Sequence, residues 1–271
     1  MIRQAWGEIR AGEPKLISYI MKTGLVLSGG GARGVCHLGV IKALEEFGVR
    51  FSFIAGTSAG SVVGCLYSYG YPPDEILKII QGTRFFKSLK LAWTMTGLLS
   101  FDGLRELLLK YMPEDTFDCL KIPVTLALTE IKKGKIEYIS QGELMTPIEA
   151  SCSVPAVFKP VQYQGGIYVD GGILDNLPVK AIYDKCDFVV GSHCNFITAE
   201  FDIKNFRNVI ERSLLMAING NTMVSKTLCN VLIEPPGVGV FSGFDLGKAS
   251  QIFDIGYRYT RDNFSADQFR V

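Results

Sequence analysis

Histidine is the scarcest chemistry-bearing residue in this 271-residue chain, with only His37 and His193 present. A serine or cysteine nucleophile that requires an imidazole base must use one of these two. Metal-ligand spacing is missing as well. The seven cysteines, at 36, 65, 119, 152, 186, 194 and 229, form no Cys-x-x-Cys pair and no Cys/His cluster. No zinc site is therefore expected. Odd in number and widely spread, they read as small buried apolar residues in a reducing compartment. An excess of one charge is also lacking: 28 Lys+Arg stand against 27 Asp+Glu, for a net charge of +1. That balance argues against a groove built to neutralise nucleic-acid phosphates. No stretch approaches the roughly 18 to 20 apolar residues of a spanning helix. The longest candidate, 59–70, reads as a buried helix. Arg3, Glu8, Arg10, Glu13 and Lys15 break up the first residues, where a secretory signal needs an apolar core of about 7 to 15. The expected location is the cytoplasm, peripheral contact with a membrane being open.

What is present is apolar and orderly. Apolar residues make up 48% of the chain, enough for a large core, an oligomer interface or a surface that meets lipid. Residues 1–20 are mixed in charge and lack periodicity, so the expected layout is an N-terminal extension followed by a single domain over 21–271. An ordinary N-terminal helix docked on that domain is the alternative. From Thr23 to Tyr69 the pattern runs strand, glycine turn, helix, strand, glycine turn, helix. The first helix carries Val35, Leu38, Ile41, Leu44 and Phe47 on one face and ends at Gly48. This alternation predicts an α/β fold with a mostly parallel central sheet and helices on both faces. Strands are expected at 122–129, 136–140 and 188–191 and on either side of Gly165-Gly166. Helices are expected near 147–151, over 206–223 and over 246–263. There is no internal repeat and no low-complexity linker.

Two glycine turns carry the chemistry. Gly56-Thr57-Ser58-Ala59-Gly60 has the Gly-x-Ser-x-Gly form between an apolar strand and an apolar helix. In that context the serine sits on a tight strained turn, at the positive end of the following helix, with glycines where bulk would clash. The alternative is a plain glycine-rich turn. Gly29-Gly30-Gly31-Ala32-Arg33-Gly34 also ends a strand and opens a helix, and it fits Gly-x-Gly-x-x-Gly. A dinucleotide site expects an acidic residue at the end of the next strand, about 20 positions on. Here that strand ends Phe53-Ile54-Ala55-Gly56, and Glu45 and Glu46 fall earlier, in the helix. The same backbone geometry suits an oxyanion hole, with Arg33 either reinforcing the charge or pairing at the surface.

Two bases are open to Ser58. His193 follows Ser58 and Asp170 in the chain order of α/β-hydrolase triads, whereas His37 reads as a packing residue. The competing base is Asp170 itself, at the end of an apolar strand in Asp170-Gly171-Gly172, where burial would raise its pKa into the working range. An Asp-Gly hairpin turn is the bland reading of that segment.

Taken together, Gly-Gly-Gly-Ala-Arg-Gly, Gly-Thr-Ser-Ala-Gly-Ser 27 residues on, and Asp-Gly-Gly resemble the patatin-like phospholipase family. The resemblance runs from about Met21 to Pro178 and includes Ala150-Ser151-Cys152-Ser153-Val154-Pro155 and Asp175-Asn176-Leu177-Pro178. It implies a Ser58–Asp170 dyad and an oxyanion hole from Gly29, Gly30 and Gly31 with Arg33. Gly34, Gly56, Gly60, Gly171 and Gly172 complete the motifs. His37 then has no catalytic part and His193 matches no motif position. The implied activity is acyl-ester hydrolysis on phospholipids or related lipids, through an acyl-enzyme and without metal or cofactor. The alternatives are a carboxylesterase or thioesterase with a Ser-Asp-His triad, a nucleotide-binding oxidoreductase, and a silent lipid-binding protein. The aromatic and aliphatic segment over 85–101, with Lys87 and Lys90, is the expected lid, acyl-pocket lining or lipid contact. A helix packed on the core or on a second copy is the other reading of it.

Overall fold

The computed structural model describes residues 21–82, 102–204 and 206–269. The expectations for 1–20 and for 85–101 lie outside the described residues. The two predicted strand-turn-helix units are present: β1 (Thr23–Leu27) leads through a tight turn into α1 (Cys36–Glu46), and β2 (Phe53–Gly56) leads into α2 (Ala59–Tyr69). Next along the chain come α3 (Pro73–Gly82), α4 (Asp102–Tyr111), β3 (Val124–Glu130), β4 (Lys135–Ile139) and α5 (Met145–Ser151). The chain continues through β5 (Val161–Tyr163), β6 (Gly166–Asp170), β7 (Phe188–Ser192), α6 (Phe206–Thr227), β8 (Val231–Ile233) and α7 (Ala249–Asn263).

The strands form one eight-stranded sheet in the order β5-β6-β3-β2-β1-β7-β8, with β4 also paired to β3. From β3 through β2, β1 and β7 to β8 the pairing is parallel; β4, β6 and β5 add an antiparallel wing. The short edge strand β8 was not legible as a strand, because Val231–Ile233 is too brief to show a period. Its backbone is recruited only by pairing Val190 with Val231.

The sheet is buried on both faces, which is why its central strands read as continuous apolar runs. Leu25, Leu27, Ile54 and Val190 point into the larger core with Leu38, Ile41 and Leu44 of α1 and Ile252 and Phe253 of α7. Val26, Ala55 and Val189 point the other way, against Leu177, Val179 and Ile182. That second face is covered by short 3₁₀ turns at Val179–Ala181 and Tyr183–Lys185 and by Leu228, just past α6.

His37 is part of this packing. Its ring is fully buried, with Nδ1 2.7 Å from Ser192 Oγ and Nε2 2.9 Å from the Ser28 carbonyl oxygen. Burial pushes its pKa down to about 4, so it is neutral at pH 7 and ties α1 to the ends of β1 and β7. Replacing it with leucine would leave two buried polar groups unpaired, at about 1–3 kcal/mol each. His37→Leu is therefore expected to lower unfolding stability in urea by about 2–6 kcal/mol.

Candidate active site

Parallel pairing places Leu27 beside Gly56, so the chain leaves β1 and β2 side by side at the carboxyl edge of the sheet. Each of these strands runs into a glycine turn and then a helix N-terminus. Ser58 holds the turn after β2 with φ 53° and ψ −121°, the left-handed region that costs a non-glycine residue about 1–3 kcal/mol. The flanking glycines make the turn sterically possible. A Cβ on Gly56 would come within 2.6 Å of the Gly60 carbonyl oxygen, and one on Gly60 would run into the Leu27 carbonyl. Ser151 supports the elbow from α5. Its hydroxyl accepts the Ser58 N–H at 2.9 Å and donates to the Ala127 carbonyl at 2.9 Å. The Ser61 hydroxyl lies 2.8 Å from the same oxygen.

Asp170 arrives from the antiparallel wing. It ends β6, paired with Leu128 of β3, and its N–H donates to the Ser153 carbonyl at 2.9 Å. The carboxylate is buried and faces the Ser58 hydroxyl. Burial raises its pKa to about 6; the Ser58 hydroxyl and the Gly172 N–H, 2.8 Å from Oδ1, only partly offset that rise. A carboxylate of this kind is ionised at neutral pH yet basic enough to take a proton from serine. The Cys152 thiol also lies beside Ser58, but burial and the nearby Asp170 charge hold its pKa well above the ordinary thiol range. It stays protonated and does not compete as a nucleophile.

Ser58 and Asp170 both line a cavity of about 350 Å³, at the lower end of the ~300–1,000 Å³ range of small-molecule pockets. Gly30, Gly31, Arg33, Asn176, Asn195 and Glu211 also line it, together with a larger apolar set that includes Val62, Val63, Val157, Phe158, Leu214 and Ile218. Among the described residues, the N–H groups of Gly30, Gly31 and Ala59 have no protein acceptor. Gly31 has φ +57°, and a Cβ there would run into the Gly243 carbonyl, so only glycine brings its N–H to this place. Gly29 differs from the other two glycines of the expected set: its N–H donates to the Asn176 carbonyl at 3.2 Å, and it does not line the cavity. Arg33 is buried, with Nη1 3.5 Å from the Phe241 carbonyl and no partner for Nε. Desolvation lowers its pKa, and it lines the cavity instead of pairing at the surface.

The patatin-like phospholipase family model matches residues 25–183, a span that holds all three motifs and more than half of the sequence. The chain belongs to the patatin-like phospholipase family. It is similar to the lysophospholipase NTE1 of Kluyveromyces lactis, with 29% identity over 272 residues, 88% of this chain and 19% of that protein. An uncharacterized NTE family protein of Mycobacterium bovis is 34% identical over 164 residues, 59% of this chain and 45% of that protein. The chain thus spans about a fifth of the length of the NTE1 relative. Among solved structures, VipD from Legionella pneumophila shares the fold at a TM-score of 0.55 and 16% identity, over 89% of this chain and 66% of that one.

Within this patatin-like site, His193 stands apart. Its Nδ1 lies 2.6 Å from Glu234 Oε1, which also accepts from Lys226, and it does not line the cavity. Motif reading missed the residues that hold the turns in place. The Asn195 amide donates to the Gly29 carbonyl, and Asn219 donates to the Asn195 carbonyl at 2.8 Å. Asn221 donates to the Gly172 carbonyl at 2.9 Å and accepts the Asn176 N–H at 3.1 Å. No local pattern marks these asparagines; each acts across dozens of residues. Among the described residues, no group of three or more His, Cys, Asp or Glu side chains is placed to hold a metal ion.

Because Asp170 binds its proton more tightly in the fold than in the open chain, it adds no penalty to folding below its ordinary value of 3.8. The penalty grows as pH rises and is complete above about 6. Asp170→Asn keeps an acceptor for Gly172 N–H and removes the buried charge. It is expected to abolish activity while raising unfolding stability at pH 8 by on the order of 2 kcal/mol, a gain that vanishes near pH 4.

Proposed function

We propose that this domain hydrolyses the carboxylic ester of a phospholipid or lysophospholipid through a Ser58–Asp170 dyad. The observation that carries this reading is the ionisable Asp170 facing Ser58 in a mostly apolar cavity. The acyl chain occupies the apolar length of the cavity, and the ester carbonyl carbon sits over Ser58. The serine oxygen bonds to that carbon as its proton passes to Asp170, and the carbonyl oxygen becomes the oxyanion. Gly30 and Gly31 N–H groups, with Ala59 N–H at the start of α2, stabilise that charge from the side. The ester C–O bond then breaks, the proton on Asp170 goes to the departing alcohol, and an acyl-serine remains. Water gives its proton to Asp170 as its oxygen bonds to the acyl carbon; the Ser58 O–C bond then breaks, the proton returns from Asp170 to the Ser58 oxygen, and the fatty acid leaves.

Arg33 presents a buried guanidinium with an unused Nε–H to the cavity. In this reading it faces the anionic part of the reacting complex, either the oxyanion or the phosphodiester of the lipid. The lysophospholipase names of the fungal relatives make lysophospholipid the first substrate to assay. No helix of the described residues is long and apolar enough to cross a membrane, so contact with lipid falls to the surface of the domain.

A fluorophosphonate probe is expected to label the wild-type chain once and to leave Ser58→Ala unlabelled; labelling of His193→Ala at the wild-type rate separates a dyad from a triad. Absence of labelling in the wild type would sink the hydrolase reading and leave a lipid-binding domain. Since the base must be ionised, kcat/KM for a soluble short-chain ester is expected to rise with pH through a single ionisation at about 6. Burial also raises Asp175 to about 6, next to Tyr138. Asp175→Asn should therefore retain the same pH profile, and a profile that flattens in this variant would assign the ionisation to Asp175.

A further inference from the structure

Helix α6 (Phe206–Thr227) is built inside out. Its exposed positions are 206, 209, 210, 213, 216, 217, 220, 223, 224 and 227, the i, i+3, i+4, i+7 spacing of a single helical face. Among the described side chains that face reads Phe, Val, Ile, Ser, Met, Ala, Gly, Met, Val and Thr, without one charged residue. Phe206 is 76% exposed, Met223 63% and Met216 59%. Ile203, 57% exposed one turn before the helix, extends the stripe. The charged side chains described in α6 turn inward instead. Glu211 accepts from Gly243 N–H at 2.7 Å and from the Ser242 hydroxyl, Arg212 donates to the Thr198 carbonyl and stacks on Phe201, and Lys226 pairs with Glu234. An ordinary surface helix does the reverse.

The stripe is continuous with the cavity. Ile210 is exposed and lines it, and Leu214 and Ile218, on the next ridge of the helix, lie further in. An apolar path therefore leads from the outer face of α6 over one lip toward Ser58. We propose that this face docks on the surface of a lipid bilayer and delivers the acyl chain over Ile210 into the cavity. The inference rests on the proposed lipid-ester hydrolysis at Ser58. A second copy of the chain fits the face less well. The helix is about 33 Å long and about 10 Å across, a footprint of roughly 300 Å², against about 800 Å² per partner in a stable interface. Interfacial binding needs no such area, because several apolar side chains dip into the acyl boundary individually.

The test uses the full chain carrying Ser58→Ala, so that lipid is not consumed, and phosphatidylcholine vesicles in a flotation assay. The parent is expected to float with the vesicles, and Phe206→Gln/Met216→Gln/Met223→Gln to lose at least tenfold in vesicle affinity. With Ser58 intact, the same triple variant is expected to keep wild-type turnover of a soluble short-chain ester, since none of the three side chains lines the cavity. Absence of vesicle binding by the parent, or equal binding by the triple variant, overturns the proposal. So does loss of soluble-ester turnover in the triple variant, which would make the stripe part of the fold, or a dimer in sedimentation velocity that the triple variant dissociates. A chain that floats but turns over no ester leaves the docking face standing and removes the hydrolase reading.

Discussion

Two parallel strands that end side by side govern the rest of this molecule. Once Leu27 lies beside Gly56, the turn after β1 and the turn after β2 have to share one small volume. A Cβ on Gly34 would fall 2.5 Å from the Ala59 Cβ, which shows how closely the two helix starts are packed. The residues with unpaired N–H groups at the start of α2 and of the turn leading into α1 then line the same cavity as Ser58. The strand order strengthens the effect. From β1 the chain crosses to β2 on one side, while β7 closes the other, so the crevice at the carboxyl edge opens where the winding direction changes.

The site's chemistry comes from burial opposed by only a few hydrogen bonds. A carboxylate with several donors around it would sit below the ordinary range and be a poor base. Asp170 has the Gly172 N–H and the Ser58 hydroxyl, and burial outweighs them. Glu234 shows the contrary case in the same fold: with His193 and Lys226 both on it, its pKa falls to about 2 although burial opposes that fall. Burial thus leaves one carboxylate with a raised pKa, as the proposed proton transfer needs, while two cationic partners hold the other well below the ordinary range. The strain at Ser58 has the same logic, since a left-handed turn is stable only where Ser151 and the surrounding glycines over-determine it.

Helix α6 connects these local features to the surface. Its inner side reaches the glycine turns of the candidate site at three points: Glu211 holds Ser242 and Gly243, whose carbonyl accepts the Ala32 N–H; Asn219 holds Asn195, which bonds Gly29; and Asn221 holds the Gly172 turn. With its polar side occupied in this way, the apolar side is left facing outward. Among the described residues, much of the apolar composition goes into the two-faced buried sheet and the exposed face of α6.

Sequence by itself determined whatever is local. The two strand-turn-helix units, the glycines at 31, 56 and 60, the serine on its elbow and the family resemblance all derive from residues within a few positions of one another, where sterics allow few alternatives. Tertiary structure decided whatever depends on long-range pairing. It placed Asp170 against Ser58 across 112 residues of chain and set His193 on Glu234 instead. It gave the Gly29 N–H to Asn176 and turned Glu211, Arg212 and Lys226 of α6 inward. A hydrogen bond or a desolvated charge depends on which groups the fold brings together, and residue order alone carries that information only through the completed packing.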